Sequence, residues 1–437
     1  MFRRLAGEIT QHSSDLLRYA CRMRTDLMNM QPDYIEFPGL GRYSRTWLQE
    51  HQEQAQKLLT ACHGHNPLCL CRDPPLPLYI SQRTKLCLAR LPNTGPRHAP
   101  GCPSYETPPS DCGRGLYSTE ALEESGNGQI RIRLDAPLQI RPTPVVASGQ
   151  TAASSNVTHE LRDRMQLKGL LHLLWERSEL ARWHPAMLQR RRYRQLYKFV
   201  LNAARDIHAR GNTLADFLCI PEPYDPADSL GLEQRRQRML KDRSRTANGT
   251  PLRILLLGQI REVRCSEDTS MGIILSHWPP TLLIRMTREQ LTRLRQTTEF
   301  AWVDWPCLVA ELRLIVLLLM QRSHQGHWEV RDLVSMVTTT EYVPVHSFEE
   351  AVVARELIRS GRQFNKPLPY DGSPGRIPNF LLCEGTTSLP LEILTRADKE
   401  LGARKARIAS YQDDRRECWI WDTEASATPP PLARTAG

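Results

Sequence analysis

Two short ligand pairs, joined by a stretch that reads as a hairpin, restrict this chain more than any other feature. The first is Cys69-Leu70-Cys71, inside CHGHNPLCLC at 62–71; the second is His98 and Cys102 in HAPGC. Between them PLPLYI and KLCLARLP read as two short strands joined by SQRT. Twenty-six residues separate Cys71 from His98, about the length a two-stranded hairpin needs to bring the chain back to its start. Zinc takes four Cys or His ligands in a tetrahedron, and a site whose four positions are all filled by protein is structural, not catalytic. The expected ligands are therefore Cys69, Cys71, His98 and Cys102, holding a structural zinc ion. Cys62, His63, His65 or Cys112 could replace one of them, while Cys87 falls mid-strand and reads as core. A redox dithiol would show CxxC at a helix N-terminus, and this pair has neither feature. Five of the 12 cysteines lie between 62 and 102; in a reducing compartment such a cluster points to metal.

The rest of the chain reads as an α+β multidomain protein. Residues 1–135 hold the zinc-hairpin module, preceded by a helix over SRTWLQEHQEQAQKLLTAC (44–62) with Trp47, Leu48, Ala55, Leu58 and Leu59 at helical spacing. Residues 136–158, rich in Pro, Ser, Ala and Thr, read as a linker. Residues 159–210 read as a helical pair broken at ARWHP, resembling a helix-turn-helix. Residues 211–340 read as a mixed α/β region whose strands include RILLLGQIREVR and GIILSHW, with ELRLIVLLLMQR and HWEVRDLVSMVTTTEYVPV forming a hairpin around SHQG. LIVLLLM at 314–320 reads as a buried strand, and no apolar run approaches the ~20 residues of a membrane span. Residues 341–422 read as helix, three strands, helix, strand, with a Ser cap and a Glu three residues later opening SFEEAVVARELIRS. The tail, 423–437, reads as disordered. MFRRLAGEIT is basic but has no apolar stretch, so no signal peptide is expected and the location is read as cytoplasmic.

The formal charge is +10, and it is unevenly spread. Residues 161–210 carry 12 Lys and Arg against 4 Asp and Glu. A local basic stripe attracts phosphate over about 8–10 Å. Arg190, Arg191, Arg192, Arg194 and Lys198, interleaved with Tyr193 and Tyr197, are the expected nucleic-acid contacts; the alternative is a solvated helix face. A protein partner is the other expectation, with no membrane association; the oligomeric state is left open. Neither a P-loop nor a nucleophile elbow is present in the mixed region.

The run CLC…LYI…LARLPNTG…HAPGC, then FLCIPEPYD, VPVHSFEE, KPLPYD, IPNFLL, LPLEIL and ARKARIASY, resembles a bacterial family filed as domain-of-unknown-function family 1173, marked by N-terminal cysteines that fall here on Cys69, Cys71 and Cys102. The resemblance covers nearly the whole chain and implies no activity; its setting looks like cargo of plasmids and integrative elements. CxC followed by a distant Cys/His pair is also similar to the SWIM type of zinc finger, which ends CxH where this chain ends HxxxC. The αβββαβ order of 341–422 is similar to the PD-(D/E)xK, restriction-endonuclease-like fold. That resemblance implies Glu349 or Glu350 on the first helix, Asn379 at the PD step (Pro378-Asn379), Glu392 at the ExK step and Lys399 or Lys405 as a displaced lysine. In that fold acidic groups hold Mg²⁺, which activates water, while a lysine orients the nucleophile. Here Asn379 replaces a carboxylate and Leu394 the lysine, so the resemblance implies a degenerate, non-catalytic version. An active Mg²⁺-dependent DNA nuclease using Glu350, Glu392 and Lys405 is the alternative, and a zinc-stabilised protein-interaction module without nucleic-acid binding is another.

Overall fold

The computed structural model describes residues 33–82, 85–126, 128–139, 161–225, 252–264, 271–279, 283–296, 311–323, 327–395 and 401–432, with scattered positions between 231 and 238. The chain forms two compact units. One holds the described residues up to Glu106 and the short stretches 126–128 and 385–387; the other holds the remainder from Thr107 onward.

The first unit is a five-stranded antiparallel sheet with two helices. Its elements are β1 (Tyr34–Phe37), β2 (Gly41–Ser44), α1 (Arg45–Glu50), α2 (Gln52–Ala61), β3 (Leu68–Cys69), β4 (Leu76–Gln82) and β5 (Leu86–Arg90), in the sheet order β2-β1-β3-β4-β5. The single helix expected over 44–62 is two helices, because His51 leaves helical geometry at φ −109 and ψ 59. Ser44 caps the first, its Oγ accepting from the Trp47 amide at 3.0 Å. Ala55 and Leu59, one turn apart, are the buried face of α2. The expected hairpin is β4–β5, with Leu78 opposite Arg90 and Gln82 opposite Leu86.

The second unit is built around a long hairpin. β15 (Leu312–Arg322) and β16 (Trp328–Thr339) pair antiparallel from Leu312↔Thr339 to Arg322↔Trp328. β12 (Ile254–Arg264) joins the other side of β15, and β11 (Leu218–Cys219), β13 (Gly272–Leu275), β14 (Ile284–Arg285) and β17 (Pro344–Val345) complete a seven-stranded sheet. Successive side chains on a strand point to opposite faces, and here both faces are covered. Leu314, Val316, Leu318 and Met320 enter one hydrophobic cluster and Ile315, Leu317 and Leu319 the other. That double burial explains an unbroken apolar run where a one-faced strand would alternate.

One face carries α5 (Arg288–Gln296), α6 (Phe348–Arg359) and a second sheet; the other carries α3 (Leu167–Arg177), α4 (Tyr193–Asp206) and a small sheet of β6 (Leu122–Glu124), β7 (Ile130–Ile132), β9 (Ile207–Ala209) and β10 (Asn212–Thr213). The segments read from sequence as separate domains over 159–210, 211–340 and 341–422 thus share two cores. Of the helical pair expected over 159–210, α3 is the more enclosed member: its residues from Gly169 to Trp175 are all buried. Its first turn is capped from 200 residues away in sequence. Asp371 accepts from the Gln166 and Gly169 amides, both at 2.8 Å, and from the Tyr117 hydroxyl at 2.6 Å, satisfying amide donors that have no partner within the helix.

The C-terminal part has the expected element order: α6, β18 (Phe364–Asn365), β19 (Phe380–Leu382), β20 (Leu389–Leu394), α7 (Leu401–Asp413) and β21 (Trp419–Asp422). β18, β19 and β20 run antiparallel in turn, β20 and β21 parallel. The sheet takes an edge strand, β8 (Arg182–Trp183), from the expected helical pair, with Trp183 opposite Phe364. The tail expected to be disordered is placed as far as residue 432: Trp421 Nε1 donates to the Ser426 carbonyl at 3.0 Å, and Leu432 packs on the core. Within the linker expected over 136–158, Leu138 is buried; residues 140–158 lie outside the described ones. Among the described residues no helix is long and apolar enough to cross a membrane.

Candidate metal centre and a buried carboxylate network

The first unit brings the two ligand pairs together. β3 ends at Cys69, the turn after it presents Cys71, and the β4–β5 hairpin returns the chain to a single 3₁₀ turn, Gly95–Arg97, that delivers His98. The next turn closes with the Cys102 amide donating to the Ala99 carbonyl at 2.8 Å. The loop is held by Glu106, which pairs with Arg90 at 2.6 Å and whose amide donates to the Gly95 carbonyl at 3.2 Å. A side chain at Gly95 would meet Glu106 Cβ at 2.4 Å, so the position tolerates only glycine without rearrangement.

The four candidate ligand atoms lie within 4.8 Å of one another, and all four residues are fully buried. Cys69 Sγ is 3.6 Å from Cys102 Sγ; His98 Nδ1 is 3.3 Å from Cys71 Sγ and 3.8 Å from Cys102 Sγ. Metal–ligand bonds of about 2.3 Å to sulfur and 2.0–2.1 Å to nitrogen give tetrahedral edges of about 3.8 Å between sulfurs and about 3.5 Å between sulfur and nitrogen. The observed separations therefore fit a tetrahedron with room for one ion. Nδ1 is thus the His98 nitrogen that faces the sulfurs, while Nε2 is buried with no hydrogen bond among the described residues. Around the cluster, the Ser104 amide donates to Cys102 Sγ at 3.4 Å, and Arg45 Nη2 lies 3.7 Å from Cys69 Sγ and donates to Ser104 Oγ at 2.9 Å.

Hydrogen bonds from Cys102 and Cys71 drive the Cys69 thiol far below its ordinary range, while the same kind of contact with Cys102 and Cys69 drives Cys71 far above it. Three thiols this close cannot all ionise without a cation among them. The cluster could thus hold a metal ion, and its donor set is compatible with structural zinc. The four alternative ligands stand elsewhere: Cys62 is buried at the end of α2, His63 and His65 are exposed, and Cys112 belongs to the second unit, its thiol pushed up to about 12 by burial. Cys87 sits mid-strand on β5, half-buried.

Three of the residues expected to be catalytic, Glu350, Asn379 and Glu392, sit in a buried network of the second unit. Glu350, on the first turn of α6, is 2% exposed. Its Oε1 accepts from Lys366 Nζ at 2.9 Å and Asn379 Nδ2 at 2.7 Å, and its Oε2 from the His346 amide at 2.7 Å. Burial alone would raise this carboxyl, but Lys366 and His346 hold it well below the usual carboxylate range. Asn379 Oδ1 accepts from the Ile393 amide at 2.9 Å and Arg404 Nη1 at 3.0 Å. Glu392, on β20 and fully buried, is gripped by both arms of Arg407, Nε to Oε1 at 2.7 Å and Nη2 to Oε2 at 2.5 Å. Burial lifts its carboxyl above the usual range against the pull of Arg407 and Arg404.

Lys405 is exposed on α7, whereas Arg404 and Arg407 on the same helix enter the network; Lys399 lies outside the described residues, and Glu349, next to Glu350, is half-buried. Arg404, Arg407, Lys366 and His346 are absent from the sequence-based set. Helical spacing could have found two of them: Arg404, Arg407 and Tyr411 lie at i, i+3 and i+7, so a buried Tyr411 places both arginines inward and Lys405 off that face.

The expected nucleic-acid contacts divide. Arg190, Arg192, Arg194 and Lys198 are exposed and form no ion pair among the described residues. Arg191 is buried: its guanidinium donates to the carbonyls of Leu180 and Glu179 at 3.0 Å and of Arg182, and lies 5.3 Å from the Trp183 ring. Burial lowers it to about 10. This arginine is a strut for the turn between α3 and α4 and is not available to phosphate.

The family described as "Protein of unknown function (DUF1173)" matches residues 43–424. Neither a curated protein nor a solved structure matches the chain.

Proposed function

The chain belongs to the DUF1173 family of proteins of unknown function, and from that premise, which brings no activity with it, we propose a non-catalytic nucleic-acid-binding protein organised by a structural zinc ion. The closed Cys69–Cys71–His98–Cys102 set carries the zinc reading. Four buried protein donors fill a tetrahedron and leave no position for water or substrate. Three thiolates and a neutral imidazole around a dication leave one net negative charge, and Arg45 beside Cys69 offsets it.

The carboxylates speak against catalysis. The αβββαβ order supports a likeness to the restriction-endonuclease-like core, but the groups that would hold Mg²⁺ there are engaged. Both oxygens of Glu350 and of Glu392 accept hydrogen bonds from protein donors, and Lys366, Arg404 and Arg407 supply the positive charge a metal would bring. Mg²⁺ needs several oxygen ligands in near-octahedral array, and these residues do not offer them. The exposed Arg190, Arg192, Arg194 and Lys198 support binding to a polyanion.

Elemental analysis of the purified protein should find one equivalent of zinc, absent from a Cys69→Ser/Cys102→Ser variant. Incubation with plasmid and Mg²⁺ or Mn²⁺ should leave the plasmid intact. Metal-free native protein would overturn the first half of the reading, and cleavage abolished by Glu392→Ala the second.

A further inference from the structure

The second unit carries a surface whose geometry selects among nucleic acids. α4 is amphipathic: Tyr193, Leu196, Val200, Ala203 and Ala204 are buried. At about 100° per residue, Arg194, Lys198 and Arg205 fall within about 40° of one another, roughly opposite that buried face. All three are exposed, as are Arg190 and Arg192 just before the helix. None of the five forms an ion pair among the described residues, whereas many exposed arginines of this unit do, such as Arg293 with Asp332 and Arg355 with Glu311. The one acidic residue of α4, Asp206, is half-buried at its end.

From this we infer that the stripe Arg194–Lys198–Arg205, headed by Arg190 and Arg192, is a docking surface for the phosphate backbone of double-stranded nucleic acid. The inference rests on the nucleic-acid reading above and names its partner more narrowly. Three features select a duplex. The cations stand on a rigid helix and span about 17 Å from Arg194 to Arg205, a fixed array suited to a fixed row of phosphates. The stripe holds no aromatic side chain: Tyr197, about 80° away, packs against the core, and Phe199, 40% exposed, projects about 120° away. Single-strand binders need such rings as stacking platforms. The one amide beside it, Asn202, has its Oδ1 taken up by Arg205 Nη1 at 3.1 Å. Contacts of this kind position a protein on a duplex without reading sequence. The charges also run against the helix's own preference. The positive end of the helix dipole favours anions, yet Arg192 and Arg194 sit there and the first turn has no acidic residue.

The test is fluorescence-anisotropy binding of the full-length, zinc-loaded chain to a short duplex and to either of its single strands, across about 50–200 mM salt. The wild type should bind the duplex more tightly than the single strands and equally across unrelated sequences. Arg194→Gln/Lys198→Gln/Arg205→Gln should bind the duplex on the order of 10²-fold more weakly near 0.1 M salt, with a salt slope shallower by about 2–3. Arg194→Lys/Arg205→Lys should keep the wild-type slope, and Arg261→Gln/Arg285→Gln, two exposed arginines elsewhere, should change little. A wild type that binds no nucleic acid overturns the reading of the previous subsection. A wild type that binds while the triple variant keeps its affinity and slope, or that prefers single strands, overturns this inference alone.

Discussion

Two buried polar clusters, one in each unit, solve the problem of burying charge in opposite ways. In the first, Cys69, Cys71 and Cys102 face one another with only the His98 ring between them and Arg45 at the edge. The potential anions outnumber the cations, and the side chains cannot balance themselves. In the second, Glu350 and Glu392 meet Lys366, Arg404 and Arg407 at hydrogen-bond distance or close to it, and each carboxylate oxygen already has a donor. The first cluster can hold a metal ion that would complete it. The second is complete without one. The same criterion, whether the protein's own charges close the account, separates a metal site from a structural network even though both consist of residue types that bind metals.

The largest expected effect breaks that comparison on the first side. Where zinc organises a small module, its binding free energy is folding free energy, on the order of 10–16 kcal/mol at neutral pH. Stripping the metal with a strong chelator should therefore remove the protection of the β3–β5 amides from hydrogen exchange while the β15–β16 hairpin stays protected. Loss of protection in both units at the same chelator concentration, or in neither, would show that the metal does not organise the first unit.

The next effect lies in the second cluster and is smaller, because no single contact there holds a whole unit. Glu350→Gln removes the carboxylate that the buried Lys366 ammonium pairs with, and Lys366→Met the ammonium that the Glu350 carboxylate pairs with; each should cost about 3–5 kcal/mol. The double variant should cost less than the sum by about 1–3 kcal/mol, since Gln still accepts a hydrogen bond and no lone charge remains. Urea unfolding followed through the second unit measures the cycle. Additive losses would mean that the pair is not the closed unit described here, and that one of its groups answers to something outside the protein.

The two clusters also differ in how far the sequence revealed them. The CxC and HxxxC pairs were legible because metal ligation is a local pattern: spacing fixes the loop geometry, and two strand-forming segments between the pairs predict the return. The αβββαβ order was legible for a similar reason, each element carrying its own period and cap, as Ser347 and its bond from the Glu350 amide at 3.2 Å illustrate. What escaped was long-range. Nothing local marks Lys366 as the partner of Glu350, or Asp371 as the cap of α3, because those contacts exist only once distant segments have packed. The same holds for α3, which local periodicity marks as a helix while only packing shows its Gly169–Trp175 run buried on every side. Arg191 is the sharpest case. Its arginine neighbours in RRRYR are solvated, and only the carbonyls of the preceding turn single it out.

The smallest effect expected here separates the clusters by pH. His172 and His346, their rings 6.5 Å apart, sit beside Tyr370, Lys366, Lys168 and Glu350 in the second unit. Burial lowers both below the ordinary histidine value, with Lys168 and Lys366 adding repulsion, while Glu350 opposes the shift at His346. The folded protein keeps these rings neutral, whereas the unfolded chain takes up protons at about 6.5. Stability that is fully present above about pH 6.5 is thus lost as the pH falls below it, by up to about 1.4 kcal/mol per pH unit for each histidine. Thiolate ligands also protonate in acid, so the first unit should release zinc as the pH drops. The two processes should be separable, because His172→Gln removes one proton from the second and leaves the first untouched. With hydrogen exchange of the α3 amides reporting one unit and a zinc-sensitive dye the other, the variant should flatten the acid limb of the former and not shift the latter. A variant that moved both curves together would mean that the two clusters, for all their difference in charge balance, titrate as one.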